Sequence, residues 1–316
     1  MKERTTLSNQ DSIGSNSWWL RETKGAAISD KFYLSFLKVI YRGLRFSFKI
    51  FLGKKRTDMF YAKRGINFKD FLYRSIKFLK KGDPLTLEIH VPKHDYNIYC
   101  PLNKEDFIVM TRHEDEIIER FLPKQGDIVV DIGAHMGRYT IISSKRVGTN
   151  GKVVAIEAHP GNFEMLNRNI KLNQLANVIP LNYAVYSKET KIKLYLPEEE
   201  SGYTIYNTIM SNRAGIEDKF VDVNAQTVDY LLELNQIKEE LINWIKIDVE
   251  GAEFEVLKGA TNVLSKSKDI ALLIEIHGLD NYRPILNFLS LYNFKIEFEK
   301  SNKNGDWRHI VVRKKN

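Results

Sequence analysis

From residue 127 onward, short apolar runs alternate with stretches of helical period. DIVVDI (127–132), KVVAIE (152–157), NVIPLN (177–182), WIKIDV (244–249) and IALLIEI (270–276) are almost continuously apolar. Runs of that kind are strands buried on both faces. The segments 137–147, 160–173, 252–264 and 280–292 between or after them read as helices. Strand and helix in alternation predict an α/β fold with a mostly parallel sheet covered on both sides. At the C-terminal end, FKIEFE (294–299) and RHIVVR (308–313) flank the turn SNKNGDW and predict a closing antiparallel pair. Upstream, Leu85, Leu87, Ile89 and Val91, then Ile98 and Cys100, alternate with polar residues, which predicts a small hairpin or meander within 84–110. Residues 113–121 read as a helix, and 190–224 as an inserted polar, strand-rich section.

The first quarter follows another pattern. In KFYLSFLKVIYRGLRFSFKIFL (31–52), Lys31, Lys38, Arg42, Arg45 and Lys49 are the basic residues. At the angular step of a helix they fall within about 60° of one another. Most of the remaining circumference is Phe, Tyr, Leu, Ile and Val. A broad apolar face with a narrow basic stripe suits a helix lying in a membrane interface. It equally suits a helix packed on the protein's own core with its stripe in water. A shorter helix at 66–81, with Phe68, Phe71, Leu72, Ile76 and Leu79 on one side, reads as core-facing.

Charge sharpens this division. Residues 1–81 hold 19 Lys and Arg against 6 Asp and Glu, a net +13, while 82–316 hold 29 against 34, a net −5. The basic character therefore belongs to the N-terminal extension, and it implies an anionic partner there, a membrane surface or a nucleic acid. The organisation expected is a basic helical extension over 1–81 and a catalytic domain over 82–316. The single cysteine, Cys100, excludes an internal disulfide framework and any multi-cysteine metal site, and it reads as a buried small apolar residue. No run of uncharged apolar residues is long enough for a transmembrane helix, and the N-terminus lacks a signal-peptide pattern. A cytoplasmic location is expected, with peripheral attachment to the inner membrane surface if 31–52 docks there.

Open parallel sheets bind ligands beyond the carboxyl ends of their strands. The first strand ends in Asp131, followed by IGAHMG. Gly133 permits a tight turn and Gly137 opens the next helix, where backbone N–H groups are free. The four-residue glycine spacing is not the dinucleotide fingerprint, which opposes an NAD-dependent oxidoreductase. A carboxylate before the first glycine would repel a pyrophosphate and suit a ligand with a cationic end. Glu157 closes the second strand, where an acid can accept hydrogen bonds from ribose hydroxyls. A nucleoside with a cationic tail is S-adenosylmethionine.

Asp131-Ile-Gly-Ala-His-Met-Gly137, Ala155-Ile-Glu157-Ala-His-Pro160 and Lys246-Ile-Asp248-Val-Glu250-Gly251-Ala-Glu253, followed by Val256-Leu257-Lys-Gly259, resemble the FkbM family of S-adenosylmethionine-dependent methyltransferases. The resemblance covers roughly 110–280. It departs at Ala158-His159, where the family more often has a proline directly after the glutamate. It implies a class I methyltransferase fold, Rossmann-like, with a seven-stranded mostly parallel sheet and an antiparallel C-terminal strand. It also implies methylation of hydroxyl groups on sugars and natural products. By motif position, Asp131, Gly133 and Gly137 would hold the methionine part, Glu157 the ribose, and Asn182 to Ala184 would lie near the adenine.

A sugar hydroxyl is a weak nucleophile, so a base or a metal should help remove its proton. Asp248, Glu250, Glu275 and His277 are the candidates at the tips of the fourth and fifth strands. His277 is the preferred base, since an unperturbed imidazole titrates near neutral pH. Asp248, Glu275 and His277 together would offer oxygen and imidazole ligands to a divalent cation. Glu250 and Glu253 read as residues favouring a helix N-terminus. The acceptor expected is a sugar, glycan or lipid-linked saccharide. The alternatives are an RNA-binding methyltransferase using the basic arm and a non-catalytic domain of the same fold. Against a base-methylating enzyme, DVEG stands where a D/N-P-P-aromatic turn would be, and the only cysteine lies outside the catalytic strands. Gly202-Tyr203 and the Asn/Ser-rich stretch after them would serve as a lid.

Overall fold

The computed structural model of the protein describes residues 86–101, 114–195, 220–302, 305 and 307–314. The basic segment 1–81, with its expected helices 31–52 and 66–81, lies outside the described residues. So does most of the 190–224 section, Gly202-Tyr203 included.

The alternating segment forms β1 (Thr86–Val91) and β2 (Tyr96–Pro101), paired antiparallel with Ile89 opposite Ile98. A short helix, α1 (Asp115–Ile118), follows. The main sheet then builds from β3 (Ile128–Ile132), β4 (Lys152–Ile156) and β5 (Val178–Leu181), linked by α2 (Arg138–Val147) and α3 (Pro160–Leu172). Next come β6 (Ala184–Val185), β7 (Thr190–Tyr195) and β8 (Phe220–Gln226), which form a separate three-stranded sheet in the order β6-β8-β7. After α4 (Val228–Leu234), the main sheet resumes with β9 (Ile242–Ile247), then α5 (Glu253–Lys258), α6 (Thr261–Lys266) and β10 (Ala271–His277). It ends with α7 (Leu279–Ser290), β11 (Phe294–Ser301) and β12 (Trp307–Lys314).

The seven strands lie in the order β11-β12-β10-β9-β3-β4-β5. Strands β10, β9, β3, β4 and β5 run parallel, and β12 is antiparallel to both of its neighbours. This is the mostly parallel sheet with an antiparallel C-terminal strand expected from the sequence. Pro180 sits in β5, the edge strand, where a missing ladder donor is tolerated. Both faces are covered. Val129, Trp244, Leu273 and Val311 pack toward β1, β2, α1 and α2. Val130, Ile245, Leu272 and Val312 pack toward α4 to α7.

Two local departures have physical causes. The helix expected over 252–264 is two helices, because Gly259 closes against the β6–β8 sheet. A Cβ there would lie 2.2 Å from the carbonyl oxygen of Tyr186. The Gly259 carbonyl accepts from the Asp229 amide at 3.2 Å, and the Asp229 carboxylate accepts from the amides of Asn262 and Val263 at 2.9 and 3.1 Å. These bonds satisfy the donors that open α6. Helix α4 has no counterpart in the sequence reading. Thr227 caps it, its hydroxyl accepting from the Tyr230 amide at 3.1 Å.

Candidate active site

Period-two alternation brings the ionisable residues together. Asp131 lies on the same sheet face as Val129, Lys246 on that of Trp244, Glu275 and His277 on that of Leu273, and His309 on that of Val311. Asp131 is opposite Lys246 in the ladder, and Glu275 is opposite His309. Toward the carboxyl ends of the parallel strands this face therefore changes from apolar to ionic.

On the β3–β4 side, the amides of Gly133 and Ala134 both donate to the Ile156 carbonyl at 3.0 Å, folding the turn over the tip of β4. Gly133 has φ +74, and a Cβ on it would fall 1.8 Å from the Asp248 carbonyl oxygen, so no other residue fits this turn. Gly137 is the N-cap of α2. Asp131 is fully buried beneath the turn. Its Oδ2 accepts from the Thr140 hydroxyl at 2.6 Å, and its Oδ1, without a hydrogen-bond partner, faces Lys246 Nζ at 3.8 Å. Burial raises the Asp131 pKa against the opposing pull of Lys246 and Thr140.

Glu157 is held by the two loops that flank it. Its Oε1 accepts from the His159 amide and its Oε2 from the His135 amide, both at 2.8 Å. Burial nevertheless pushes its pKa up to about 7, against those two bonds. Each oxygen retains a further lone pair. Asn182 clamps the same loop, donating to the carbonyls of Glu157 and Ala158 at 2.8 and 3.1 Å. Ala184 is buried at the start of β6. At the Ala158-His159 departure, His159 is the N-cap of α3, its Nδ1 accepting from the Asn162 amide at 3.2 Å, with Pro160 following. The glycine turn, the open α2 N-terminus and the acid at the β4 tip fit S-adenosylmethionine as a nucleoside with a charged tail.

Lys246 joins this cleft to the next. Its Nζ donates to the Gly133 carbonyl at 2.9 Å and to Asp248 Oδ2 at 3.1 Å. Burial opposes its charge, but Asp248 and Asp131 outweigh burial and hold its pKa above the ordinary lysine value. The Asp248 amide donates to the Ile132 carbonyl at 3.1 Å, so the two strand tips are locked side by side.

Beyond Lys246 lies a carboxylate–imidazole cluster. His277 Nδ1 meets Glu253 Oε1 at 2.8 Å, and its Nε2 lies 3.4 Å from both Glu250 Oε2 and Glu275 Oε1. Glu275 Oε2 is 3.0 Å from His309 Nε2, which also lies 3.2 Å from Glu114 Oε1. The Tyr139 hydroxyl donates to Glu114 Oε2 at 2.9 Å. The side chains of Asp248 and Glu250 are the most open of the group, 26% and 22% exposed. One side-chain atom each of Asp248, Glu250 and His277 lies within 4.8 Å of the others, while Glu275 sits between the two imidazoles. Glu253, in the first turn of α5, is wholly buried against His277.

Electrostatics set the protonation states. Burial works against the charge of His277, but the Glu253 and Glu275 contacts and the Glu250 charge raise its pKa to about 11. The surrounding carboxylates therefore favour positive charge on this imidazole. Burial raises Asp248, and it pushes Glu250 to about 8 against the pull of His277. Of this constellation, sequence reasoning left out Lys246, Glu114 and His309. Lys246 carried a signal, a lone charge in the apolar run WIKIDV. Glu114 and His309 carried none, since sheet register brings His309 to Glu275 and the chain just before α1 brings Glu114 to His309.

The sequence profile of the methyltransferase FkbM domain matches residues 131–296, more than half of the chain. The hexuronic acid methyltransferase AglP of Haloferax volcanii is 28% identical over 207 residues, covering 65% of this chain and 79% of that protein. Methyltransferase sdnD of Sordaria araneosa is 32% identical over 158 residues, covering 42% and 59%. The chain therefore spans less than two thirds of that fungal protein. A crystal structure of methyltransferase FkbM from Methylobacillus flagellatus superposes with a TM-score of 0.42 at 16% identity, covering 60% of this chain and 43% of that one. The matched stretch runs from the buried Asp131 through the glycine turn, Glu157 and the Asp248–His277 cluster into β11, so the chain belongs to the FkbM methyltransferase family, with the class I fold and S-adenosylmethionine as methyl donor.

Proposed function

We propose that the protein methylates a hydroxyl of a sugar, glycan or lipid-linked saccharide. The observation that carries this reading is the carboxylate–imidazole cluster directly beside the cofactor cleft, joined to it by Lys246. A hydroxyl needs help to lose its proton, and burial makes Asp248 a stronger base than a free aspartate. Asp248 takes the proton as the acceptor oxygen attacks the methyl carbon. The S–CH3 bond breaks with its electron pair left on sulfur. Glu275 and His277 hold the charge and orientation of the site, and the cationic His277 faces the developing oxyanion. In the same reading Gly133 and Gly137 receive the methionine part over Asp131, Glu157 accepts the ribose hydroxyls, and Asn182 and Ala184 border the adenine. The similarity to a hexuronic acid methyltransferase supports a sugar acceptor.

A nucleic-acid acceptor is the second reading, favoured by the net +13 of residues 1–81. The two separate when labelled methyl is transferred from S-adenosylmethionine into host fractions. Label is expected in lipid-linked or soluble saccharide, reduced by about a hundredfold in a folded Asp248→Asn variant, as for loss of a positioned base. Label in RNA alone sinks the sugar reading.

A further inference from the structure

We propose that Asp248, Glu250 and His277 form a divalent-cation site at the mouth of the cluster, with the donor chemistry of Mn2+ or Zn2+. One ligand atom from each lies within 4.8 Å of the others. The His277 Nε2 to Glu250 Oε2 distance of 3.4 Å is long for a hydrogen bond. It matches two donors on one ion, since bonds of about 2.1 Å at ordinary angles put neighbouring donors roughly 3.0–3.4 Å apart. His277 is also oriented for ligation. Its Nδ1 is taken by Glu253 at 2.8 Å, which aims Nε2 at the carboxylates, as the carboxylate behind a ligating histidine commonly does. Glu253 is wholly buried, and its Oε2 has no hydrogen-bond partner. The buried Glu253 carboxylate stabilises positive charge on the His277 side, carried by an Nε2 proton or by an ion that displaces that proton on ligation.

The neighbouring group Glu114, Glu275 and His309 has comparable spacing, but its imidazole is drawn closer to its carboxylates. His309 Nε2 sits at hydrogen-bond lengths of 3.2 and 3.0 Å from its two carboxylates, and Glu114 also accepts from Tyr139. Two carboxylates and one imidazole are a mixed hard and borderline set, which selects Mn2+ or Zn2+ over Ca2+. The partial exposure of Asp248 and Glu250 keeps this group open to solvent, from which an ion would enter.

Only the ion's catalytic role depends on the acceptor reading above. Held by Asp248, Glu250 and His277, an ion would lower the pKa of an acceptor hydroxyl, whose proton would pass to solvent water. The oxygen lone pair forms the O–CH3 bond, the S–CH3 bond breaks, and neutral S-adenosylhomocysteine leaves.

The test uses full-length protein stripped with EDTA, with neither S-adenosylmethionine nor acceptor present. Mn2+ is titrated by calorimetry and by electron paramagnetic resonance. One bound ion per chain is expected, displaced by Zn2+ and accompanied by a rise in Tm. Affinity should fall at least about tenfold in Glu250→Gln and His277→Gln, fall about tenfold in Glu253→Gln, and stay within about twofold in His309→Gln. Circular dichroism checks that each variant is folded, and the wild-type Tm rise stands if a variant is not. Absence of saturable Mn2+ and Zn2+ binding to the wild type overturns the site. So does binding that survives both folded ligand variants or is lost in His309→Gln. Because binding is read without the methyl reaction, its failure leaves the methyltransferase reading intact, and failure of methyl transfer leaves the binding result intact.

Discussion

Glu157 shows how a single residue ties fold to function. Its carboxyl is buried, yet two backbone amides point at it, and the balance leaves its pKa near 7, above the free value of 4.5. An acid whose folded pKa is raised binds more protons folded than unfolded. Its contribution to stability is present below pH 4.5 and is lost as pH rises to about 7. Ribose hydroxyls donating to the carboxylate favour its ionised form, so S-adenosylmethionine affinity should rise from pH 6 to pH 8. Calorimetry across that range should give a several-fold tightening in the wild type and a nearly flat line in Glu157→Gln. An equal slope in both would remove Glu157 from the ribose. At this scale the sequence was informative where chemistry is local. Asp131, Gly133 and Glu157 stand at strand ends that the apolar runs mark directly. The state of His277 was not legible, because Glu253 and Glu250 reach it through a turn, and Glu275 through the pleat of its own strand.

Elements add what residues alone do not carry. The five parallel strands were readable because burial on both faces makes each run continuously apolar. Their order, and hence the meeting of Glu275 with His309 across β10 and β12, follows from register, which no single strand encodes. The split between α5 and α6 was hidden for the same reason: Gly259 looks like an ordinary helix glycine until the β6–β8 sheet is placed against it. Gly259→Ala should force the Cβ into the Tyr186 carbonyl, 2.2 Å away. Overpacking against backbone of this kind destabilises by about 1–3 kcal/mol. Urea unfolding should show a lower midpoint with an unchanged m-value. A variant as stable as the wild type would mean that α5 is not seated on that sheet.

For the whole molecule, charge is distributed as function would require if the acceptor sits at a surface. The net +13 of residues 1–81 is set against −5 over the rest, and the acidic cluster lies in the acidic part. Among the described residues no helix is long and apolar enough to cross a membrane. We propose that the N-terminal segment attaches the protein peripherally, since the basic residues of 31–52 would share one face of a helical wheel opposite Phe, Leu and Ile. A lipid-linked saccharide would be presented to the site at such a surface. Each basic residue near an anionic bilayer contributes about 1 kcal/mol, so four of them matter in sum and salt should screen them. Full-length protein should sediment with phosphatidylserine-containing liposomes at low salt. Replacing Lys38, Arg42, Arg45 and Lys49 by Glu should release it, while methyl transfer to a soluble sugar acceptor stays close to wild type. Undiminished sedimentation of that variant would leave 31–52 as a helix packed on the protein itself. Tight, salt-sensitive RNA binding that competes with liposomes would instead assign the basic segment to a nucleic acid, and with it the acceptor.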